Sequence, residues 1–238
     1  MRSLATILSG VALMVSAAAG AQGSSTEKKE QAQGRKVLSD FARCAADLEP
    51  KIAREYILLP SDQRLPEDDW GDLLNRDCMG FHQGRLAMNS FYFRGALAQR
   101  LIVKQELQFA SDSIANVDAL EWRTPGLPAQ GALSDEAFAK VRAAFEDYQE
   151  KGRTETFVSW VGECIARANP AGVAAVFETK IDSKSELRAL EALTGEIVGC
   201  VPEGNEVAIH RTTLRTGLAI AYFRLADAHA SAAGGVSS

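Results

Sequence analysis

Arg85-Leu-Ala-Met-Asn-Ser-Phe-Tyr-Phe-Arg-Gly-Ala-Leu-Ala-Gln-Arg-Leu-Ile-Val103 is apolar on most sides from Asn89-Ser90 onward, the pattern of a helix enclosed by other helices. It lies over Glu206 to Arg224 without a gap, at an offset of 121. Ala87, Arg94, Leu97 and Ala98 recur there as Ala208, Arg215, Leu218 and Ala219, while Leu86, Met88 and Phe93 recur as Val207, Ile209 and Leu214. Upstream, Cys44-Ala-Ala-Asp-Leu-Glu-Pro50 matches Cys164-Ile-Ala-Arg-Ala-Asn-Pro170 as Cys-x-Ala-x-x-x-Pro, at an offset of 120. Four identities in 19 would say little between two Ala-rich helices, for which chance similarity is the rival explanation. The cysteines add weight: 33 residues separate Cys44 from Cys78 and 35 separate Cys164 from Cys200, and each second Cys precedes its arginine by a nearly equal distance. Together these point to a tandem duplication.

The expected fold is all-α: two tandem helical repeats forming a bundle, each with an internal disulfide. Its divisions are a signal peptide at 1–21, a flexible leader at 22–33 and a first repeat at 34–121. A linker at 122–133, an inserted helix plus second repeat at 134–230 and a flexible tail at 231–238 follow. The first helix of each copy ends near Pro50 or Pro170, since proline cannot continue a helix and disfavours helical geometry just before it. Either proline can open a short second helix, where its missing N–H costs nothing. In copy two, Ser183 and Glu186 form a capping box for a helix with Leu187, Leu190, Thr194 and Ile197 on one face, up to Cys200. Its counterpart runs from Glu67 to Asp77. Ser134 to Lys151 reads as an additional amphipathic helix carrying Phe138, Val141, Phe145 and Tyr148. Arg85 to Met88 and Glu206 to Ile209 are short extended candidates; no longer strand pattern occurs.

Composition agrees with a helical chain. Of 238 residues, 38 are Ala and 7 Pro, and Ala carries the least penalty for helix. The hydrophobic 46% and charged 24% exclude wholesale disorder and a multi-span membrane protein. A formal net charge of -5 repels nucleic acid and anionic lipid. Met1-Arg2, the apolar stretch Leu4 to Val15 and the small-x-small site Ala19-Gly20-Ala21 form an export signal cleaved before Gln22. An uncleaved anchor is the rival reading, but the stretch is short and a polar segment follows it. No Cys stands at the cleavage point, which disfavours a lipid anchor, so the expected location is periplasmic or secreted.

Four Cys in an exported chain allow three pairings. The repeat selects Cys44 with Cys78 and Cys164 with Cys200, because a duplicated unit with its own bridge needs nothing from the other copy. The alternative is a metal site through Cys78-x-x-x-His82, but no Cys-x-x-Cys occurs and copy two has no matching His. No metal and no cofactor are therefore expected.

The doubled arrangement of Cys44, Cys78 and Arg94-Gly95-Ala96-Leu97-Ala98, then Cys164, Cys200 and Arg215-Thr216-Gly217-Leu218-Ala219, resembles a family of uncharacterised exported bacterial helical proteins. The likeness covers most of residues 34 to 228, with Thr216-Gly217 as a departure in copy two. It implies a periplasmic, disulfide-containing helical fold and brings no activity or catalytic residue with it.

The catalytic inventory is thin. Gly-x-Ser-x-Gly, His-Glu-x-x-His, Gly-x-x-x-x-Gly-Lys and Gly-x-Gly-x-x-Gly are all missing. Of three His, His82 lies in a Gly-flanked turn, His210 at the start of the last helix and His229 near the tail. Ser25-Thr26-Glu27-Lys28 matches Ser-x-x-Lys by chance in the leader. Glu67, Asp68, Asp69, Asp72 and Asp77 form an acidic patch without calcium-loop spacing, and an acidic first helical turn explains it. The one candidate with repeat support is the pair Arg94 and Arg215, each rising from an apolar helix stripe. Each arginine either fastens its own module by hydrogen-bonding carbonyls or a carboxylate, or lines a cleft for a carboxylate or phosphate ligand. The expected function is a non-catalytic binding or interaction module for an unknown protein or small molecule. The alternative is an enzyme whose site is assembled between the two repeats.

Overall fold

The computed structural model describes residues 25–60, 63, 65–79, 89–105, 107, 109, 112–114, 117–123, 135–202 and 209–234. The expected signal peptide, most of the linker, His82, the extended stretch at 85–88 and nearly all of that at 206–209 lie outside the described residues.

Among the described residues all regular structure is helical. Helices α1 (Ser25–Leu48), α2 (Pro50–Leu58) and α3 (Glu67–Leu73) lead through a 3-10 turn at Arg76–Met79 to α4 (Ser90–Lys104). A second 3-10 turn at Asp112–Ile114 precedes α5 (Asp135–Ala168), α6 (Pro170–Phe177), α7 (Lys184–Glu191), α8 (Thr194–Cys200) and α9 (Arg211–Gly234). Proline opens both α2 and α6 at a position whose N–H has no intrahelical acceptor. Asn169 caps α6 by accepting from Gly172 N–H at 2.8 Å, and Asn89 caps α4 by accepting from Phe91 N–H at 2.7 Å.

Five boundaries differ from the sequence expectation. The helix expected from Glu67 to Asp77 ends at Leu73, and a separate 3-10 turn takes up Arg76–Met79. The leader is helical from Ser25, because Glu, Lys and Gln are good helix formers even without an apolar face. The inserted helix and the Cys164 helix are one continuous α5: Gly152 costs only about 1 kcal/mol within a helix, and no proline intervenes. The single helix expected up to Cys200 breaks after Glu191, whose carbonyl accepts from the Thr194 hydroxyl at 2.6 Å. Its buried residues are Glu186, Leu190, Leu193 and Cys200, whereas Leu187 is exposed. Finally, α9 continues through residues 231–234 of the expected flexible tail.

The core is centred on α4 and α9. Leu97, Ala98 and Leu101 of α4 and Leu218, Tyr222 and Leu225 of α9 are fully buried. Phe41, Tyr56, Trp70 and Phe93 form an aromatic cluster with ring centroids 5.3–6.3 Å apart. Cys44 of α1 is bonded to Cys78, and Cys164 of α5 to Cys200 at the end of α8, over sequence separations of 34 and 36. Loops of this size contribute on the order of 3–4 kcal/mol each by restricting the unfolded chain. Small residues set the closest helix approaches. A Cβ on Gly217 would stand 2.7 Å from the Val158 carbonyl oxygen, and one on Gly95 would stand 2.5 Å from Thr216 Cγ2.

Gly217 is therefore fixed by packing, while Gly71 in α3 has no atom within 4 Å of its would-be Cβ. Overpacking against backbone costs about 1–3 kcal/mol, more than the roughly 1 kcal/mol that Ala gains over Gly in a helix. Gly217→Ala should lower stability and Gly71→Ala should leave it unchanged or raise it, read as urea midpoints by circular dichroism. A Gly217→Ala protein as stable as the parent would contradict the α5–α9 packing.

Candidate functional site: a cleft floored by an arginine–carboxylate network

The N-terminal part of α9 lies beside α1 and α4, and between them opens a cleft of about 630 Å³. Leu38 and Ser39 of α1, Tyr92, Ala96 and Gln99 of α4, and Ile181 and His210 beside α9 contribute to its lining. Arg215, on the third helical residue after Thr212, enters it from α9 and is almost wholly buried.

The arginine is held on all sides. Its Nε donates to Gln99 Oε1 at 2.9 Å, one terminal nitrogen donates to Glu186 Oε1 and to Thr179 Oγ1 at 2.9 Å each, and the other donates to the Thr179 carbonyl at 3.0 Å. Burial pushes its pKa below the ordinary guanidinium range, and the charges of Glu186 and Asp182 oppose that shift. Glu186, only 1% exposed, is the N3 residue of α7. Its backbone N–H is capped by Ser183 Oγ at 3.1 Å, and its Oε2 accepts from Asp182 N–H at 2.9 Å. The capping box expected from Ser183 and Glu186 thus reaches one residue further back than usual, leaving Oε1 for the arginine.

Asp182 extends the network to the surface. It accepts from Arg35 Nε at 2.8 Å and from an Arg211 terminal nitrogen at 2.7 Å, and Arg211 Nε lies 3.7 Å from Glu186. Asp182 has φ of 62°, the left-handed region that a non-glycine residue enters only at a cost. Its two arginines and the Glu186 carboxylate hold it there.

Arg94 occupies the matching place on α4 but a different cavity. Its terminal nitrogen donates to the Leu59 carbonyl at 2.9 Å and its guanidinium carbon lies 4.7 Å from the Tyr56 ring centre. The cavity beside it holds only about 90 Å³ and is walled by Trp122. Trp122 Nε1 donates to Glu163 Oε2 at 2.7 Å, Leu120 N–H donates to Glu163 Oε1 at 3.0 Å, and the Arg224 guanidinium covers the indole at 4.6 Å. Burial, then the Arg94 charge, lowers the Arg224 pKa from its usual value. The two candidate arginines therefore do not converge on one cleft; each ties its helix to the end of a neighbouring one. All four cysteines are in disulfides, away from any reactive role. Among the described residues no group of His, Cys, Asp or Glu is placed to hold a metal ion.

Arg35, Asp182, Arg211, Gln99 and Glu163 were not marked by any motif. Arg35 meets a partner 147 residues away and Arg215 meets Gln99 across 116, so spacing along the chain carries no trace of these pairs. Glu186 alone had a local mark, its position three residues after Ser183.

Comparison with protein-family models, curated proteins and solved structures finds no match to this chain.

Removing one partner from a buried ion pair costs about 3–5 kcal/mol, whereas replacing both with apolar residues is often close to neutral. Glu186→Leu should lower the urea midpoint strongly. Adding Arg215→Met to it should restore part of the loss. Losses that simply add in the double variant would show that the two side chains are not coupled.

Proposed function

We propose that the chain is an exported, periplasmic, non-catalytic binding module, made of two copies of one disulfide-pinned helical unit, that takes its ligand in the cleft between the copies. The observation that carries this reading is the crossing of α4 and α9. Tyr92 Oη and Thr213 Oγ1 lie 3.1 Å apart, and their separation of 121 is the offset at which the two stretches of sequence align. Gly95 meets Thr216, again 121 apart, so matched positions face each other as they would across a twofold axis.

Other pairs agree with it. Arg94 donates to the carbonyl of Leu59 and Arg215 to that of Thr179, each just beyond the proline-started second helix of its half. Each disulfide stays within one half, as a self-sufficient unit requires. Two intramolecular disulfides suit an oxidising compartment, and no described helix is long and apolar enough to cross a membrane.

Binding is favoured over catalysis by the state of the charged groups. Glu186, which lines the cleft, and its neighbour Asp182 are each engaged by arginines, so their oxygens are already taken as acceptors. The volume of the cleft falls within the roughly 300–1,000 Å³ typical of small-molecule sites.

Ala96 forms part of the floor, so Ala96→Trp would fill the cleft from within it. The low-molecular-mass fraction of envelope extract from the source cell should raise the melting temperature of the mature protein by at least about 2 °C, and should leave that of Ala96→Trp unchanged. No shift in the parent, or equal shifts in both, would contradict a ligand in this cleft.

A further inference from the structure

We infer that the cleft selects a small monocarboxylate with an apolar body. This rests on the proposal that the cleft is a binding site, and it adds the chemistry that would choose the ligand.

The charge count comes first. Arg35, Arg211 and Arg215 are met by Asp182 and Glu186, so three cations face two anions and one positive charge is left over. The surplus sits on a chain whose net charge is -5, against the prevailing sign of the surface. Arg215 does not supply it to a ligand, because four of its five N–H donors are spent on Gln99, Glu186 and Thr179. Arg35 does: it lines the cleft, and Arg211 shares its Asp182 partner. Among the described residues Arg35 gives Asp182 its Nε–H, and Arg211 gives Asp182 one terminal N–H, so most of their donors have no described acceptor. Two arginines sharing one carboxylate are a ready receptor for a second, through the paired N–H geometry that fits a carboxylate. A phosphate, carrying about two charges at pH 7, would exceed the single surplus charge.

The body of the ligand follows from the rest of the lining. Leu38, Ala96 and Ile181 offer apolar surface, and Gly95 keeps the floor low. The smaller cavity beside Arg94 has the Trp122 ring in its wall and holds only about 90 Å³. Residues around the two cavities correspond at the repeat offset, Arg94 with Arg215 and Asn89 with His210 among them. Tyr92 and His210 line the larger cleft, and about 630 Å³ stays open beside them. An apolar body seated against these residues, with a carboxylate aimed at Arg35 in the lining, is the occupant that fits it.

Three probes with one body separate the possibilities: 4-phenylbutyrate, 4-phenylbutanol and 4-phenylbutylamine, titrated into the mature protein by calorimetry. The carboxylate should bind at least tenfold more tightly than the alcohol, and the amine should be weakest. Arg35→Met, shown to be folded by its circular-dichroism melt, should bring carboxylate affinity down to that of the alcohol, and Arg211→Met should act in the same direction. Ala96→Trp should abolish binding of all three. An alcohol that matches the carboxylate, an Arg35→Met protein with full carboxylate affinity, or binding that survives Ala96→Trp would overturn the inference. If none of the probes binds while the envelope fraction still stabilises the parent but not Ala96→Trp, the ligand class is wrong and the cleft remains a site. If neither the probes nor the fraction acts, both proposals fall.

Discussion

A guanidinium group carried into the core on a buried helix must find acceptors there, and the rest of this fold is arranged around meeting that demand twice. Arg215 is 4% exposed and Arg94 is 8% exposed. An unmatched buried charge would cost several kcal/mol, so the carbonyl ends of α2 and α6 and the carboxylate on α7 have to stand where they do. The turns after α2 and α6 are thereby fixed against α4 and α9. The disulfides act on the same units from the other side, joining each Cys-bearing first helix to the segment that precedes its arginine helix. Closure by sulfur limits the unfolded chain, while closure by arginine selects one packed arrangement.

The two halves meet this demand with different partners. In the first, the partners of Arg94 include the Leu59 carbonyl and the Tyr56 face. In the second, Glu186 brings a full negative charge, and Asp182, Arg35 and Arg211 extend the network towards the surface. This difference accompanies the contrast between the cavities. Beside Arg94 the segment from Leu120 to Arg123 packs down on Glu163 and Arg224 and leaves about 90 Å³. Beside Arg215 about 630 Å³ stays open.

Much of the fold was legible in the sequence, for a particular reason. Helix-breaking Pro50 and Pro170, the apolar helices around Arg94 and Arg215 and the spacing of four Cys are local or periodic marks, and all mapped onto helices and bridges as expected. Helix boundaries were less legible, because Ser25 to Gln33 and Glu150 to Thr154 are polar stretches without an apolar stripe, whose state depends on the helix that follows. The cleft was hardly legible at all. Its ion pairs join residues 25 to 147 positions apart, so they exist only once α1, α7 and α9 have been packed together. Arg94 and Arg215 could be singled out from the repeat, but whether they share a site or stand in two is a property of the crossing between α4 and α9.

The central claim, that each half is closed by its own sulfur bridge and needs none from the other, is tested most directly by mass-spectrometric peptide mapping of the unreduced protein after thiol blocking. The account requires one linked pair containing Cys44 and Cys78, a second containing Cys164 and Cys200, and no blocked thiol. Linked peptides that join a Cys of the first half to one of the second, or four alkylated cysteines, would contradict it.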